Sequence, residues 1–138
     1  MKSLSKVLVV FAFISYSSSV SGQKIIKGDF EHVVLFWMQN PENQEERTQL
    51  EKGMKDLIKS SEYIVSAHIG VPAMTDREVV DNSYTYNYTV TFKSREDQDA
   101  YQEEPVHLEF IEKYKHLWGR VQIYDSINIL NEKWPSFT

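Results

Sequence analysis

The sequence predicts an α+β domain in which helices pack on one face of a four-stranded antiparallel sheet. Strand and helix patterns follow one another in the order β-α-β-β-α-β, and no repeat or linker interrupts them. The chain of 138 residues, 41% of them hydrophobic, can form one packed core but not two. Together these observations indicate a single domain with the ferredoxin-like arrangement of elements.

The first strand and the first helix are predicted in the N-terminal part of this domain. Residues 32–38 are apolar at both alternating positions, which is typical of a central strand covered on both sides. Asn40 and Pro41 suit a helix N-cap and a first-turn proline. Over the predicted helix, residues 41–60, apolar side chains recur at amphipathic spacing: Leu50, Met54, Leu57 and Ile58.

Two further strands are predicted in the middle of the chain. Residues 63–69 form a short β-rich run before Gly70, and residues 75–83 are polar, as in a connecting loop. Residues 84–92 show the clearest alternation, because every second side chain is aromatic or aliphatic and the others are Thr or Asn. The aromatic face, which includes Tyr88, is expected either to form plain core under the helices or to line a pocket for a flat ligand.

The second helical region and the last strand complete the order of elements. The residues from Ser94 onward resemble a capping box, which opens a helix that continues through Tyr101. Pro105 interrupts this helix and starts a new one, and Gly119 is predicted to close it. Residues 121–129 then form the last strand.

The helix-free face of such a sheet is left uncovered. Val33, Leu35 and Trp37 of the first strand point to that face, where they would form a large apolar patch on a monomer. A two-fold dimer is the commonest way to cover a self-complementary surface. We therefore expect a homodimer with these three residues in its interface.

The two ends of the chain are predicted to lie outside the domain. Residues 1–22 have the pattern of a secretory signal, with lysines near the start, a short apolar run and a small, polar stretch before the cleavage site. As a helix the apolar run spans only about 12 Å, too little to cross a hydrocarbon core of roughly 30 Å. We expect a leader at 23–30, the domain at 31–129 and a tail at 130–138. The protein is then secreted or periplasmic, with no membrane attachment after cleavage.

The composition excludes several classes of function. The chain has 15 Lys and Arg against 20 Asp and Glu, and the basic residues form no cluster that could follow a phosphate backbone, so nucleic acid is not an expected partner. The absence of Cys excludes disulfides, thiolate metal sites and cysteine nucleophiles. No His or carboxylate spacing matches a metal motif, so neither a metal nor another cofactor is expected.

Two histidines and a tyrosine are the candidates for chemistry. His32 shares its strand face with Val34, and His107 shares its helix face with Ile111. Histidines in such positions are commonly hydrogen-bonded core residues. Alternatively, they form a site with Tyr101. A neutral imidazole near a helix N-terminus can take a proton from an acidic carbon, and a tyrosine hydroxyl can donate to the oxyanion that forms.

The segment around this pair resembles a known family. A Tyr-x-x-x-Pro-x-His-x-x-Phe run extends from Tyr101 to Phe110, after a Val-Thr-Phe strand that ends at Phe92, and His32 begins the first strand. Together these features resemble the stress-responsive A/B barrel (Dabb) family over about residues 31–129. Members of that family are dimers in which two ferredoxin-like sheets form one barrel, so the resemblance implies a dimeric α/β barrel.

The resemblance also implies roles for individual residues. In a plant member of the family that is a cofactor-free cyclase, the catalytic His and Tyr match His107 and Tyr101. Pocket residues of that enzyme match His32 and Trp118. The expected pocket, between the sheet and the helices, is lined by the following residues: His32, Val34, Phe36, Met54, Tyr88, Val90, Phe110, Ile111 and Trp118.

This sequence also departs from the family pattern. Glu104 stands where a His is common, Met54 where the cyclase has a pocket Tyr, and Ile111 where it has a small Gly. The larger Ile111 narrows a cavity that would otherwise accommodate an alkyl tail. The cyclase activity itself is therefore not expected here.

Three functions remain open at this point. The first is a dimer that binds a small apolar or aromatic molecule without transforming it. The second is a cofactor-independent lyase, cyclase or isomerase with His107 as base, Tyr101 as acid and His32 as a positioning group. The third is a structural dimer without a pocket. We favour the first because a fold alone does not establish catalysis.

Overall fold

The computed structural model describes residues 25–130; the predicted signal segment and residues 131–138 of the predicted tail lie outside the described residues. The elements in chain order are β1 Phe30–Met38, α1 Gln44–Ser60, β2 Ser66–Gly70, β3 Tyr86–Phe92, α2 Arg95–Glu103, α3 Pro105–Tyr114 and β4 Trp118–Ile127. The strands form one antiparallel sheet in the order β2-β3-β1-β4. The predicted α+β, ferredoxin-like fold is confirmed, with the second helical region divided into two helices.

The core lies between the sheet and the helices, as the burial pattern of β1 shows. Every second residue of β1, from Phe30 to Met38, is buried, while the residues between them are only half-buried. β3 buries its aromatic and aliphatic face in the same layer, which the alternation in the sequence predicts. The largest side chains with almost no solvent exposure belong to this layer: Tyr86, Tyr101, Phe92, Leu50, Met54 and Val90.

The start of α1 differs from the prediction. Its N-cap is Asn43 and not Asn40, because the side-chain oxygen of Asn43 accepts the N–H groups of Glu45 and Glu46 at 3.1 and 3.2 Å. The N–H of Asn43 donates to the carbonyl of Asn40 at 3.0 Å. Pro41 therefore lies in a turn that precedes the helix and not in its first turn.

The end of the last helix also differs from the prediction. α3 ends at Tyr114, a single 3₁₀ turn covers Lys115–Leu117, and the chain then enters β4. Gly119 does not close the helix. It is the additional residue of a β-bulge, because Trp37 pairs with Arg120 whereas Met38 pairs with Trp118.

Two other strands are shorter than predicted at their starts, since β2 begins at Ser66 and β3 at Tyr86. β1 in turn begins at Phe30, which the prediction assigned to the leader. Within the part of the chain that the structure describes, no helix is long and apolar enough to cross a membrane.

The helix-free face of the sheet is less apolar than the β1 pattern alone predicts. Val33, Leu35 and Trp37 are half-buried there. Polar residues of the neighbouring strands lie beside them, for example Asn87 and Gln122 on either side of Leu35. Arg120 of β4 covers part of Trp37 as well, because its guanidinium lies 4.3 Å from the centre of the Trp37 ring. An interface at this face stays a prediction.

Candidate functional site

A cavity of about 120 Å³ lies between β1 and β4 on one side and the two later helices on the other. It is lined by His32, Val34, Phe36, Tyr88, Tyr101, Gln102, His107, Phe110, Ile111, Trp118, Val121 and Ile123. The aromatic rings of Phe36, Trp118 and Phe110 pack together at centroid distances of 5.2 and 5.9 Å. The cavity therefore combines an apolar, largely aromatic wall with a group of polar side chains.

His107 is placed by the first turn of α3, which Pro105 begins. Its side chain is largely buried, and its Nδ1 lies 3.3 Å from the carbonyl oxygen of Gln102. Because a carbonyl can only accept, Nδ1 carries the proton and Nε2 of the neutral ring is left to accept one. Burial lowers the pKa of His107 below its ordinary value. The ring is therefore a neutral base at neutral pH.

Tyr101 lies directly beside this imidazole. The two ring centres are 4.2 Å apart, and the Tyr101 hydroxyl is 3.3 Å from the hydroxyl of Tyr88. Burial raises the pKa of both tyrosines well above the ordinary value. Both hydroxyls therefore keep their protons and can act as hydrogen-bond donors.

His32 reaches the same cluster from β1 and is held by an acidic residue of β4. Its Nδ1 lies 2.6 Å from Oδ1 of Asp125, and the register pairs these two residues across the strands. A carboxylate accepts, so Nδ1 of His32 donates and the orientation of the ring is fixed. The His32 ring centre is 6.4 Å from that of Tyr101. The structure thus brings His32, Tyr101 and His107 around one void.

Most of the residues predicted to line a pocket lie around this cavity. These are His32, Val34, Phe36, Tyr88, Phe110, Ile111 and Trp118, together with the proposed catalytic pair His107 and Tyr101. Met54 and Val90 do not line it. Both have no exposed surface and lie deeper in the core.

The prediction did not include several residues of the site. Gln102, Val121 and Ile123 line the cavity, and Asp125 holds His32. A signal for Asp125 was present in the sequence: it continues the alternate positions of Val121 and Ile123 on the last strand, where a carboxylate on an apolar face calls for a partner.

The charge of the lining restricts what can bind. The residues around the cavity include neither Lys nor Arg. Within residues 25–130, no group of three or more His, Asp or Glu side chains converges in a way that could hold a metal ion. The arrangement therefore suits an uncharged molecule with one polar end.

A larger depression of about 360 Å³ lies on the outer surface between α1 and α3, lined in part by Asp56, Lys59 and Lys113. It is a groove between charged, solvent-exposed side chains. The smaller cavity is the better candidate site because it is lined by the His107 imidazole and the Tyr101 hydroxyl, whose pKa values are perturbed.

Comparisons with known proteins support the fold and identify the family. Residues 30–128 match the family described as the Stress responsive A/B Barrel Domain, Dabb. The chain belongs to this family. No curated protein matches it.

Three solved structures illustrate the similarity. A protein of Arabidopsis thaliana is 25% identical, with a TM-score of 0.62 over 72% of this chain and 94% of its own. A hydroxynitrile lyase from Passiflora edulis is 19% identical, with a TM-score of 0.65 over 78% of this chain and 98% of its own. A dimeric ferredoxin-like protein from Thermobifida fusca is 13% identical, with a TM-score of 0.60 over 76% of this chain and 96% of its own. The latter two similarities concern the fold alone.

The depressed pKa of His107 predicts a loss of stability in acid. As the pH falls below the ordinary value of 6.5, the unfolded chain takes up the proton before the folded chain does. The contribution of His107 to stability is therefore present above pH 6.5 and is lost as the pH falls through the folded pKa. Between neutral and mildly acidic pH, the free energy of unfolding measured with urea should fall less in His107→Gln than in the parent protein. Equal losses in both proteins would contradict the assignment.

Proposed function

We propose that the protein binds a small, neutral, apolar or aromatic molecule in the cavity between its sheet and its helices. The observation that carries the proposal is the cavity itself, which has an aromatic wall at Phe36, Phe110 and Trp118 and hydroxyl and imidazole groups at Tyr101 and His107. Unfilled space beside a core forfeits packing contacts, so the cavity favours a ligand-binding role over a purely structural one.

The size of the cavity indicates the size of the ligand. An engineered apolar cavity of about 150 Å³ in another protein binds benzene. The cavity here, of about 120 Å³, therefore suits a single ring or a short chain with one hydrogen-bonding group. Ile111 and Ile123 contribute to its walls, and each takes up space that a longer ligand would need.

Benzaldehyde is a suitable first probe because it is a single neutral ring with one acceptor. At about ten times its Kd, benzaldehyde should raise the Tm by roughly 4 °C or more, whereas benzoate, its charged counterpart, should not. Ile111→Trp fills the cavity and should abolish the rise. Leu108→Trp, on the exposed side of the same helix, should preserve it. A rise that survives Ile111→Trp would show that the probe binds elsewhere.

A second candidate function is cofactor-independent acid–base catalysis, such as that of a lyase, cyclase or isomerase. The observation that favours it is the tautomer of His107, whose Nδ1 donates to the Gln102 carbonyl and leaves Nε2 free as a base, with the Tyr101 ring packed against the imidazole. The hydroxynitrile lyase of similar fold indicates one reaction to test. In it, a base removes the hydroxyl proton, the bond to the nitrile carbon breaks, and cyanide takes up a proton.

Incubation of the parent protein and of His107→Ala with an aromatic hydroxynitrile distinguishes binding from catalysis. If the protein is a lyase, an aromatic hydroxynitrile should be converted to aldehyde and cyanide, and His107→Ala should lose at least about a hundredfold in kcat/KM. If the parent protein and His107→Ala both bind the hydroxynitrile and neither converts it, the function is binding alone.

We further propose that the protein is a homodimer and that it is exported. The uncovered sheet face with Val33, Leu35 and Trp37 supports the dimer, as does the dimeric protein of similar fold from Thermobifida fusca. The pattern of residues 1–22 supports export to a secreted or periplasmic location.

A further inference from the structure

Glu104 occupies the junction between the two helices that carry the tyrosine and the histidine of the site. Its N–H donates to the carbonyl of Tyr101 at 3.1 Å, and its own carbonyl accepts the N–H of His107 at 3.0 Å. The backbone of Glu104 therefore connects the last turn of α2 to the first turn of α3. Its side chain extends from the helix junction that carries these two residues.

The side chain of Glu104 makes an unusual set of contacts. Although Glu104 is the N-cap residue of α3, its carboxylate does not cap the helix. Oε1 instead accepts the N–H of Glu62, in the connection between α1 and β2, at 2.9 Å. Oε2 is shielded from solvent and has no hydrogen-bond partner among the described residues. A carboxylate oxygen that loses water without gaining a donor is costly, so anchoring Glu62 is not a sufficient explanation for the side chain.

The charge of this carboxylate acts on the polar cluster of the cavity. Burial lowers the pKa of His107; the hydrogen bond to the Gln102 carbonyl opposes that lowering, and the Glu104 carboxylate adds a smaller effect in the same direction as Gln102. Burial also raises the pKa of Tyr88 and Tyr101, and the same carboxylate adds to this effect. The titratable groups that line the cavity together with His107 are His32 on β1, Tyr88 on β3 and Tyr101 on α2. Glu104 lies at the junction before α3, and Asp125 on β4 is hydrogen-bonded to His32.

We propose that Glu104 is a positioning residue of the site: it fixes the junction that carries Tyr101 and His107, and it supplies the negative charge that stabilises His107 when Nε2 takes a proton. The proposal rests on the acid–base function described above. The geometry is that of a carboxylate assisting a histidine base from its own helix junction, at a distance from the ligand, since Glu104 does not line the cavity.

The test is the NMR titration of the His107 imidazole in the full protein, without any ligand. Glu104→Gln keeps an oxygen that can accept the N–H of Glu62 and removes only the charge. The affinity of His107 for a proton should fall several-fold, so that its titration midpoint moves to lower pH. Glu103→Gln removes the same charge from the adjacent, solvent-exposed residue and should leave the midpoint unchanged.

Two results would overturn the proposal: a parental midpoint in Glu104→Gln, or an equal displacement in Glu103→Gln. In Glu104→Asp, which keeps the charge, the midpoint of His107 should lie closer to the parental value than it does in Glu104→Gln. An equal displacement of the midpoint in both variants would show that the effect is structural and would refute the role of the charge. If Glu104→Gln does not fold, Glu104→Ala removes the same charge and decides, since a lowered His107 midpoint supports the role of the charge and a parental one refutes it. These titrations need neither a ligand nor turnover. A failure of the proposed role of Glu104 can therefore be distinguished from a failure of the proposed function.

Discussion

Replacing Leu35 by glutamate is expected to convert the proposed dimer into monomers. Leu35 lies at the centre of the helix-free face, between Asn87 and Gln122 of the neighbouring strands. In a dimer built on this face, two glutamates would approach each other and lose their hydration, which costs several kcal/mol for unpaired charges. Sedimentation or light scattering should therefore show a change from dimer to monomer at micromolar concentration.

Leu108→Glu is the matched control, because Leu108 lies on α3 with about half of its surface exposed. The same substitution there should leave the dimer intact and the Tm nearly unchanged. A parent protein that is monomeric at high concentration, or a Leu35→Glu protein that stays dimeric, would exclude this face as the interface.

Gly53→Ala is expected to destabilise the fold by about 1–2 kcal/mol and to lower the Tm by roughly 5–15 °C. A Cβ at Gly53 would come within 2.4 Å of the Tyr114 ring, whereas Cβ atoms in proteins essentially never come within 3.0 Å of a non-bonded neighbour. Tyr114 is buried and packs on Phe110 with ring centres 5.3 Å apart, so it cannot move away without disturbing a wall of the cavity. This strain exceeds the roughly 1 kcal/mol that alanine gains over glycine inside a helix.

Gly70→Ala provides the comparison for this prediction. A Cβ at Gly70 would come within 2.7 Å of His68, but the contact is with Nε2 at the far end of an exposed side chain that can turn away. Thermal unfolding of both variants should thus show a much larger loss for Gly53→Ala. Similar Tm values would mean that α1 and α3 can separate more easily than their packing indicates.

The fold could be predicted because the two central strands carry strong periodic signals. β1 is buried on alternate residues, as is β3 as far as Val90, and the face that is apolar in the sequence is buried in the structure. The boundaries were harder to predict. Asn40 and Asn43 are both good N-cap residues, and only the turn between them decides which one caps α1. Gly119 suits a helix end, but here it serves a bulge that depends on pairing with β1.

The site could be predicted only in part, for a related reason. His107 and Tyr101 are close in sequence, so a local motif brings them to notice. His32 and Asp125 are 93 positions apart; the alternation in each strand assigns each residue to the apolar face, but no local motif pairs the two. Met54 has the right polarity for a pocket wall, but its depth in the core depends on how closely the helices approach the sheet, which periodicity does not specify.

The pair of His32 and Asp125 also links the cavity to the surface of the domain. The side chain of His32 is 6% exposed, whereas that of Asp125 is 45% exposed, so their hydrogen bond crosses from the interior to the edge of the sheet. The polar side of the cavity is therefore tied to a solvent-exposed carboxylate on the edge strand of the sheet. A change of charge at that exposed position, such as Asp125→Asn, would consequently reach an imidazole that lines the cavity through a single hydrogen bond.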